Sequence, residues 1–232
     1  ACSSQPKLVS RAEEFGRDRF TAEGKNAAIA APNEEISQVG LEILQKGGNA
    51  VDAAVAASFA MSVIRPQSSG IGGGGFMLIY DQKQKKVIAL DFRETAPQLA
   101  TAALYQEKAK ANSNVTLEGP LSVGVPGFVA GMWEAHRKYG SGRLTWSELL
   151  DPAIRLAEGG FKVYAHLAWS AEEQEDVLKT FPASAALFLP QEEPLKVSDT
   201  LVQKEMAQTL RLIAKGGRDA FYRGAIAERM VH

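Results

Sequence analysis

Apolar residues at Ile36, Val39, Gly40, Ile43 and Leu44 recur every three to four positions, which predicts an amphipathic helix with one buried face. Asn33 stands where a cap belongs, Glu34 and Glu35 fall in the electropositive first turn, and Gly47-Gly48 ends the pattern. Asn49 then opens a second helix with Asp52 at capping-box spacing, and residues 50–64 are apolar nearly all round until Arg65-Pro66. A helix without a polar face is expected between layers. After a glycine run over 70–75, the segments 76–80 and 87–92 have strand character and flank a polar stretch, which predicts a β-hairpin.

The second half reads as helical. Pro126-Gly127 leads into a helix carrying Val129, Met132, Trp133 and His136 that stops near Gly140. Thr145 and Glu148 form a capping box, Asp151-Pro152 reads as a cap with Pro at the first helical position, and Gly159-Gly160 closes that helix. Leu201, Met206, Leu210 and Ile213 with Gly216-Gly217 predict another helix. Residues 221–231 predict a last one, reaching His232 with no stop signal, as though the chain were interrupted.

Composition narrows the function classes. With 232 residues, 45% of them hydrophobic, the chain can bury a full-sized core. Lys and Arg total 26 against 27 for Asp and Glu, so the electrostatic footprint of a nucleic-acid binder is missing. The longest nearly apolar run, at 50–64, falls short of the roughly 20 residues a bilayer core demands, so no transmembrane span is expected. A single cysteine, Cys2, excludes an internal disulfide framework and a multi-thiolate metal site. Ala1-Cys2-Ser3-Ser4 resembles the junction where bacterial lipoprotein signals are cut, with residues 1–25 as a polar tether; the alternative is an incidental cysteine. The first reading places the protein in the periplasm or the cell envelope, or as a secreted protein, with a lipid anchor at Cys2 as one form of it.

Most catalytic motifs fail. Gly70, Gly72 and Gly75 match G-x-G-x-x-G, but the run follows a helix and precedes a strand, the reverse of a dinucleotide fingerprint. No G-x-S-x-G elbow surrounds a serine, and His136, His166 and His232 are too scattered for a metal site. The acidic cluster Glu172, Glu173, Glu175 and Asp176 reads as a solvated helix face. Five glycines in six positions mean a tight turn or a close approach to a neighbour or ligand. Arg93, at the end of the second expected strand, presents a planar fork suited to a substrate carboxylate; its alternative is a local ion pair with Glu94 or Asp91.

Taken together, three segments resemble the gamma-glutamyltransferases, or glutathione hydrolases, in the N-terminal part of their large subunit. They are Gly47-Gly48-Asn49-Ala50-Val51-Asp52-Ala53-Ala54-Val55-Ala56, Pro66-Gln67-Ser68-Ser69-Gly70-Ile71-Gly72-Gly73-Gly74-Gly75-Phe76-Met77 and Arg93-Glu94-Thr95-Ala96-Pro97. Gly124-Val125-Pro126-Gly127, Pro152-Ala153-Ile154 and Phe221-Tyr222 continue the likeness in the family's order, over residues 26–232. The resemblance implies an α+β fold of the N-terminal nucleophile hydrolase type, an αββα sandwich that is incomplete in this chain. It implies a precursor that cuts itself into two subunits, the small one carrying an N-terminal Thr nucleophile that attacks the gamma-glutamyl amide of a substrate such as glutathione. No cofactor is implied, and no catalytic residue lies in this chain. Arg93 matches the position that holds the substrate's α-carboxylate. Rival expectations are an acylase or a poly-gamma-glutamate transpeptidase of the same fold, or a non-catalytic fragment or module.

Overall fold

Asn33 caps α1 (Glu34–Gln45) by accepting from the Glu35 amide at 2.8 Å, as its side chain predicts. The computed structural model describes residues 23–231, so the polar start up to residue 22, Cys2 included, and His232 lie outside the described residues. In α2 (Ala50–Ile64) the capping box forms: the Asn49 side chain accepts from Val51 and Asp52, and the Asp52 carboxylate accepts from the Asn49 amide. This helix is central, packed against α1, α4 (Phe128–Tyr139) and α5 (Trp146–Gly159), which is why nearly its whole circumference is apolar. Phe59 of α2 meets Phe128 and Trp146 edge-on, at 5.1 and 5.4 Å between centroids, and Trp133 packs edge-on against Trp146.

One carboxylate sits inside this core. Asp52 is fully buried, and its oxygens also take the Ser141 amide at 2.9 Å and His136 Nδ1 at 3.4 Å. The start of α2 is thereby tied to the turn between α4 and α5.

The hairpin pairs β1 (Phe76–Asp81) with β2 (Lys86–Asp91), antiparallel from Phe76↔Asp91 to Asp81↔Lys86. Met77, Ile79 and Leu90 pack on the helical core, while Phe76, Leu78, Tyr80 and Val87 are exposed. α3 (Ala102–Ala109) buries no residue.

Three expectations are corrected in the second half. Asp151-Pro152 does not start a helix: Trp146, Leu149 and Leu150 are already buried in helical conformation behind the Thr145–Glu148 capping box, and Pro152 lies inside α5. Leu201 is not helical; it belongs to β4 (Thr200–Leu201), whose partner is β3 (Phe161–Lys162) with Phe161 opposite Leu201. Residues 221–231 are not one helix either: Phe221 and Tyr222 end α9 (Lys204–Tyr222), and the next helix starts only at Ala225. Gly216-Gly217 breaks the helix as expected, Gly217 leaving helical geometry with φ of 62° beside the Trp133 ring, so α9 is two helical stretches joined at a kink. Between β3 and β4 lie α6 (Ala165–Glu173), α7 (Glu175–Thr180) and α8 (Pro182–Phe188); α10 (Ala225–Val231) ends the described chain.

The class is α+β: helices on helices, with two two-stranded sheets among the described residues. No described helix is long and apolar enough to cross a membrane.

Candidate functional site

The hairpin does not stop at Asp91. Phe92 and Gly75 exchange backbone hydrogen bonds at 3.0 and 3.3 Å, which adds one pair to the ladder. Two residues after Phe92, Glu94 gives way to Thr95, which forms an isolated antiparallel bridge with Val125, its two bonds at 2.8 and 3.3 Å. Arg93 and Glu94 therefore lie on a short backbone span fixed at both ends.

Glycine makes that span possible. A Cβ at Gly74 would come within 2.9 Å of the Glu94 amide nitrogen and of Glu94 Oε2, and a Cβ at Gly127 would overlap the Phe92 carbonyl oxygen. The strand end is sandwiched between the glycine run and the start of α4. The same two segments are bonded to each other, since the Gly73 carbonyl accepts from the amides of Gly127 and Phe128 at 3.0 and 2.9 Å. Tyr222 closes the arrangement from α9: its hydroxyl donates to the Pro126 carbonyl at 2.8 Å and accepts from the Ala130 amide at 3.2 Å. Burial pushes the Tyr222 phenol up, so it stays protonated and able to donate at neutral pH.

On this platform the Arg93 side chain is 60% exposed. Its amide donates to Asp91 Oδ1 at 3.0 Å, its Nε lies 3.4 Å from Glu94 Oε2, and its guanidinium carbon is 6.0 Å from the Phe76 ring centre. The local ion pair weighed against a binding role thus exists, and it occupies only the Nε edge. Among the described residues the guanidinium has no second ion pair, which leaves the Nη1/Nη2 fork open. Glu94 Oε2 is shielded from water and, among the described residues, has no hydrogen-bond partner and no ion pair besides Arg93.

The other sequence candidates separate from this place. Gly70 and Gly72 have open space where a side chain would stand, whereas Gly74 is enclosed. His136 joins Asp52, and His166 stacks on Trp169. Glu172 and Glu173 lie on α6, Glu175 and Asp176 on α7, with Glu175 paired to Lys179. No group of three metal-ligating side chains occurs among the described residues. A cleft of about 660 Å³ borders the strand end at Asp91 and Phe92, between Trp133, Arg137 and Arg218; Arg93 stands outside it. Sequence reasoning named Glu94 only as the ion-pair alternative to a binding role for Arg93, and it missed Tyr222 as a support of the neighbouring turn. The available signal was the recurrence of glycine at 74, 124 and 127 on the segments that face Glu94.

The gamma-glutamyltranspeptidase family profile matches residues 36–232. This chain belongs to the gamma-glutamyltranspeptidase family. Among gamma-glutamyltranspeptidase relatives, it is 41% identical over 209 residues to glutathione hydrolase 3 of Arabidopsis thaliana, covering 90% of this chain and 32% of that protein. It is 42% identical over 210 residues to the glutathione hydrolase proenzyme of Bacillus subtilis strain 168, covering 89% of this chain and 35% of that one. The crystal structure of Helicobacter pylori gamma-glutamyltranspeptidase superimposes with a TM-score of 0.85 at 35% identity, over 90% of this chain and 60% of that one. The chain thus spans about a third of the length of these curated gamma-glutamyltranspeptidase relatives.

Proposed function

We propose that this chain is the N-terminal part of the large subunit of an enzyme that cleaves gamma-glutamyl amides such as glutathione, passing the gamma-glutamyl group to water or an amine. The carrying observation is the open Nη1/Nη2 fork of Arg93 on its clamped strand end. A substrate α-carboxylate takes that fork in two parallel charge-assisted hydrogen bonds, while Glu94 holds the Nε edge and fixes the plane of the guanidinium. The nucleophile comes from outside this chain. In the proposed two-chain enzyme, the hydroxyl of an N-terminal Thr on the small subunit adds to the gamma-carbonyl carbon, and a nearby amine takes its proton. The leaving amine then departs with a proton, and water or an acceptor amine releases the acyl group. The exposed apolar hairpin face of Phe76, Leu78 and Tyr80 supports a second chain packing here. The polar start with Cys2 supports an envelope or periplasmic location with a lipid anchor at Cys2.

The first test is the intact mass of the full-length protein together with release of anilide from a gamma-glutamyl anilide. A second polypeptide beginning with Thr, activity, and an acyl-glyceryl mass on Cys2 are expected; one unprocessed, inactive chain refutes the two-chain reading. For Arg93, the comparison substrate is a 4-aminobutanoyl anilide, which lacks the α-carboxylate. Arg93→Ala is expected to cost about 2 to 5 kcal/mol in kcat/KM on the gamma-glutamyl substrate, mostly through KM, with Arg93→Lys recovering part. The 4-aminobutanoyl rate should hardly change. Equal losses on both substrates would make Arg93 a support of the fold only.

A further inference from the structure

Phe76 stands on the outer face of the hairpin, 66% exposed, in a strand whose inward side chains Met77 and Ile79 pack on the core. Its ladder partner is Asp91, and the next pair joins Gly75 to Phe92, so Phe76 and Arg93 are diagonal neighbours on one face of the sheet. Aromatic and long side chains reach each other across that diagonal. Two residues before Phe76, Gly74 has no side chain to crowd Arg93. A Cβ there would press on the Phe92 carbonyl and the Glu94 amide, the backbone groups on either side of Arg93.

The Arg93 guanidinium carbon accordingly lies over the Phe76 ring, 6.0 Å from its centre, at the outer reach of cation–π attraction. Glu94 holds only the Nε edge, at 3.4 Å. One contact on an edge leaves the guanidinium plane free to turn, and a ring against its face restricts that turning. Two-point pairing with a carboxylate needs the plane set, because both N–H groups must meet the two oxygens together. The negative face of a ring sets it without taking up the Nη donors, which a carboxylate side chain in its place would occupy.

We propose that Phe76 is a positioning residue for Arg93, its ring holding the guanidinium so that Nη1 and Nη2 both meet a substrate carboxylate. This role rests on the proposed carboxylate binding by Arg93. It sets Phe76 apart from Leu78 and Tyr80 on the same face, which pair with Ala89 and Val87, further from Arg93 along the strands. In so exposed a setting a cation–π contact is worth about a two- to fivefold change in binding.

The test is steady-state kinetics of the full-length protein on the gamma-glutamyl anilide and the 4-aminobutanoyl anilide, read as the ratio of the two kcat/KM values. Phe76→Leu keeps an apolar side chain and removes the ring face. It should lower that ratio about two- to fivefold, through KM of the gamma-glutamyl substrate and not through kcat. Phe76→Tyr should keep the wild-type ratio. Leu78→Ala, which takes apolar area from the same face, should leave the ratio unchanged whatever it does to each rate. In an Arg93→Ala background, Phe76→Leu should lower the ratio no further. Phe76 is exposed, so these changes spare the fold, which a thermal melt verifies. The proposal is overturned by an unchanged ratio in Phe76→Leu, by the same loss in Phe76→Tyr or Leu78→Ala, or by the same loss with Arg93 absent. Arg93→Ala keeps the two roles distinguishable. If it lowers the ratio and Phe76→Leu does not, Phe76 alone loses its role; if it leaves the ratio unchanged, carboxylate binding by Arg93 falls and positioning by Phe76 falls with it.

Discussion

Asp52 is a charge in a hydrophobic core, and its hydrogen bonds decide whether that is tolerable. Burial pushes its carboxyl up, but donors from Ser141, Asn49 and His136 together outweigh burial and hold it below the ordinary value of 3.8. A folded-state pKa below the unfolded one stabilises the fold at all pH values above the unfolded one. That contribution is lost as pH falls from about 4 through the folded value. Asp52→Asn should therefore unfold at a lower temperature than wild type at neutral pH, with the gap narrowing below about pH 4. Melting curves of both proteins across that range check this, and a gap independent of pH would show that charge is not what Asp52 contributes. From sequence Asp52 was legible as a capping-box residue. Its bonds to His136 and Ser141 were not, because those partners stand more than eighty positions away and leave no local pattern.

Among the elements, α4 shows how a helix start can be completed from a distance. Its N-cap, Gly127, has no side chain to accept from the first turn, and the Tyr222 hydroxyl at the end of α9 accepts from the Ala130 amide instead. Tyr222→Phe removes that acceptor and the donor to Pro126, leaving both backbone groups unsatisfied. It should cost about 1 to 2 kcal/mol in chemical denaturation; a loss of only a few tenths would mean that water replaces the hydroxyl. The elements with strong local signals were readable: α1 from its cap and period, α2 from its capping box and unbroken apolar run, the hairpin from two strand-like segments around a polar stretch. β3 and β4 were not, being two residues each and defined only by pairing across forty positions. Pro152 misled for a related reason. A proline marks a helix start when nothing precedes it, and here a capped, buried turn already does.

For the whole molecule, surface chemistry sets the behaviour of the chain by itself. Phe76, Leu78, Tyr80 and Val87 form an apolar sheet face, and Leu99, Leu117 and Val123 add to the exposed apolar area between β2 and α4. Expressed by itself, this chain is expected to form oligomers or aggregates in size-exclusion chromatography. Leu78→Lys with Val87→Lys should shift it toward monomer. A monodisperse wild-type monomer that unfolds cooperatively would refute the expectation. The proposed place of Arg93 at a shared site was legible only through whole-segment resemblance, since the bare spacing equally described the ion pair with Glu94 that the structure contains.

The ladder pair at Gly75 and the bridge at Val125 have a thermodynamic consequence. The ladder pair and the bridge that flank Arg93 are made within this chain, so the main-chain entropy of ordering that span is spent during folding. If Arg93 holds a carboxylate as proposed, what remains to be frozen on binding is the swing of one partly tethered side chain, and the proposed recognition is preorganised to that extent.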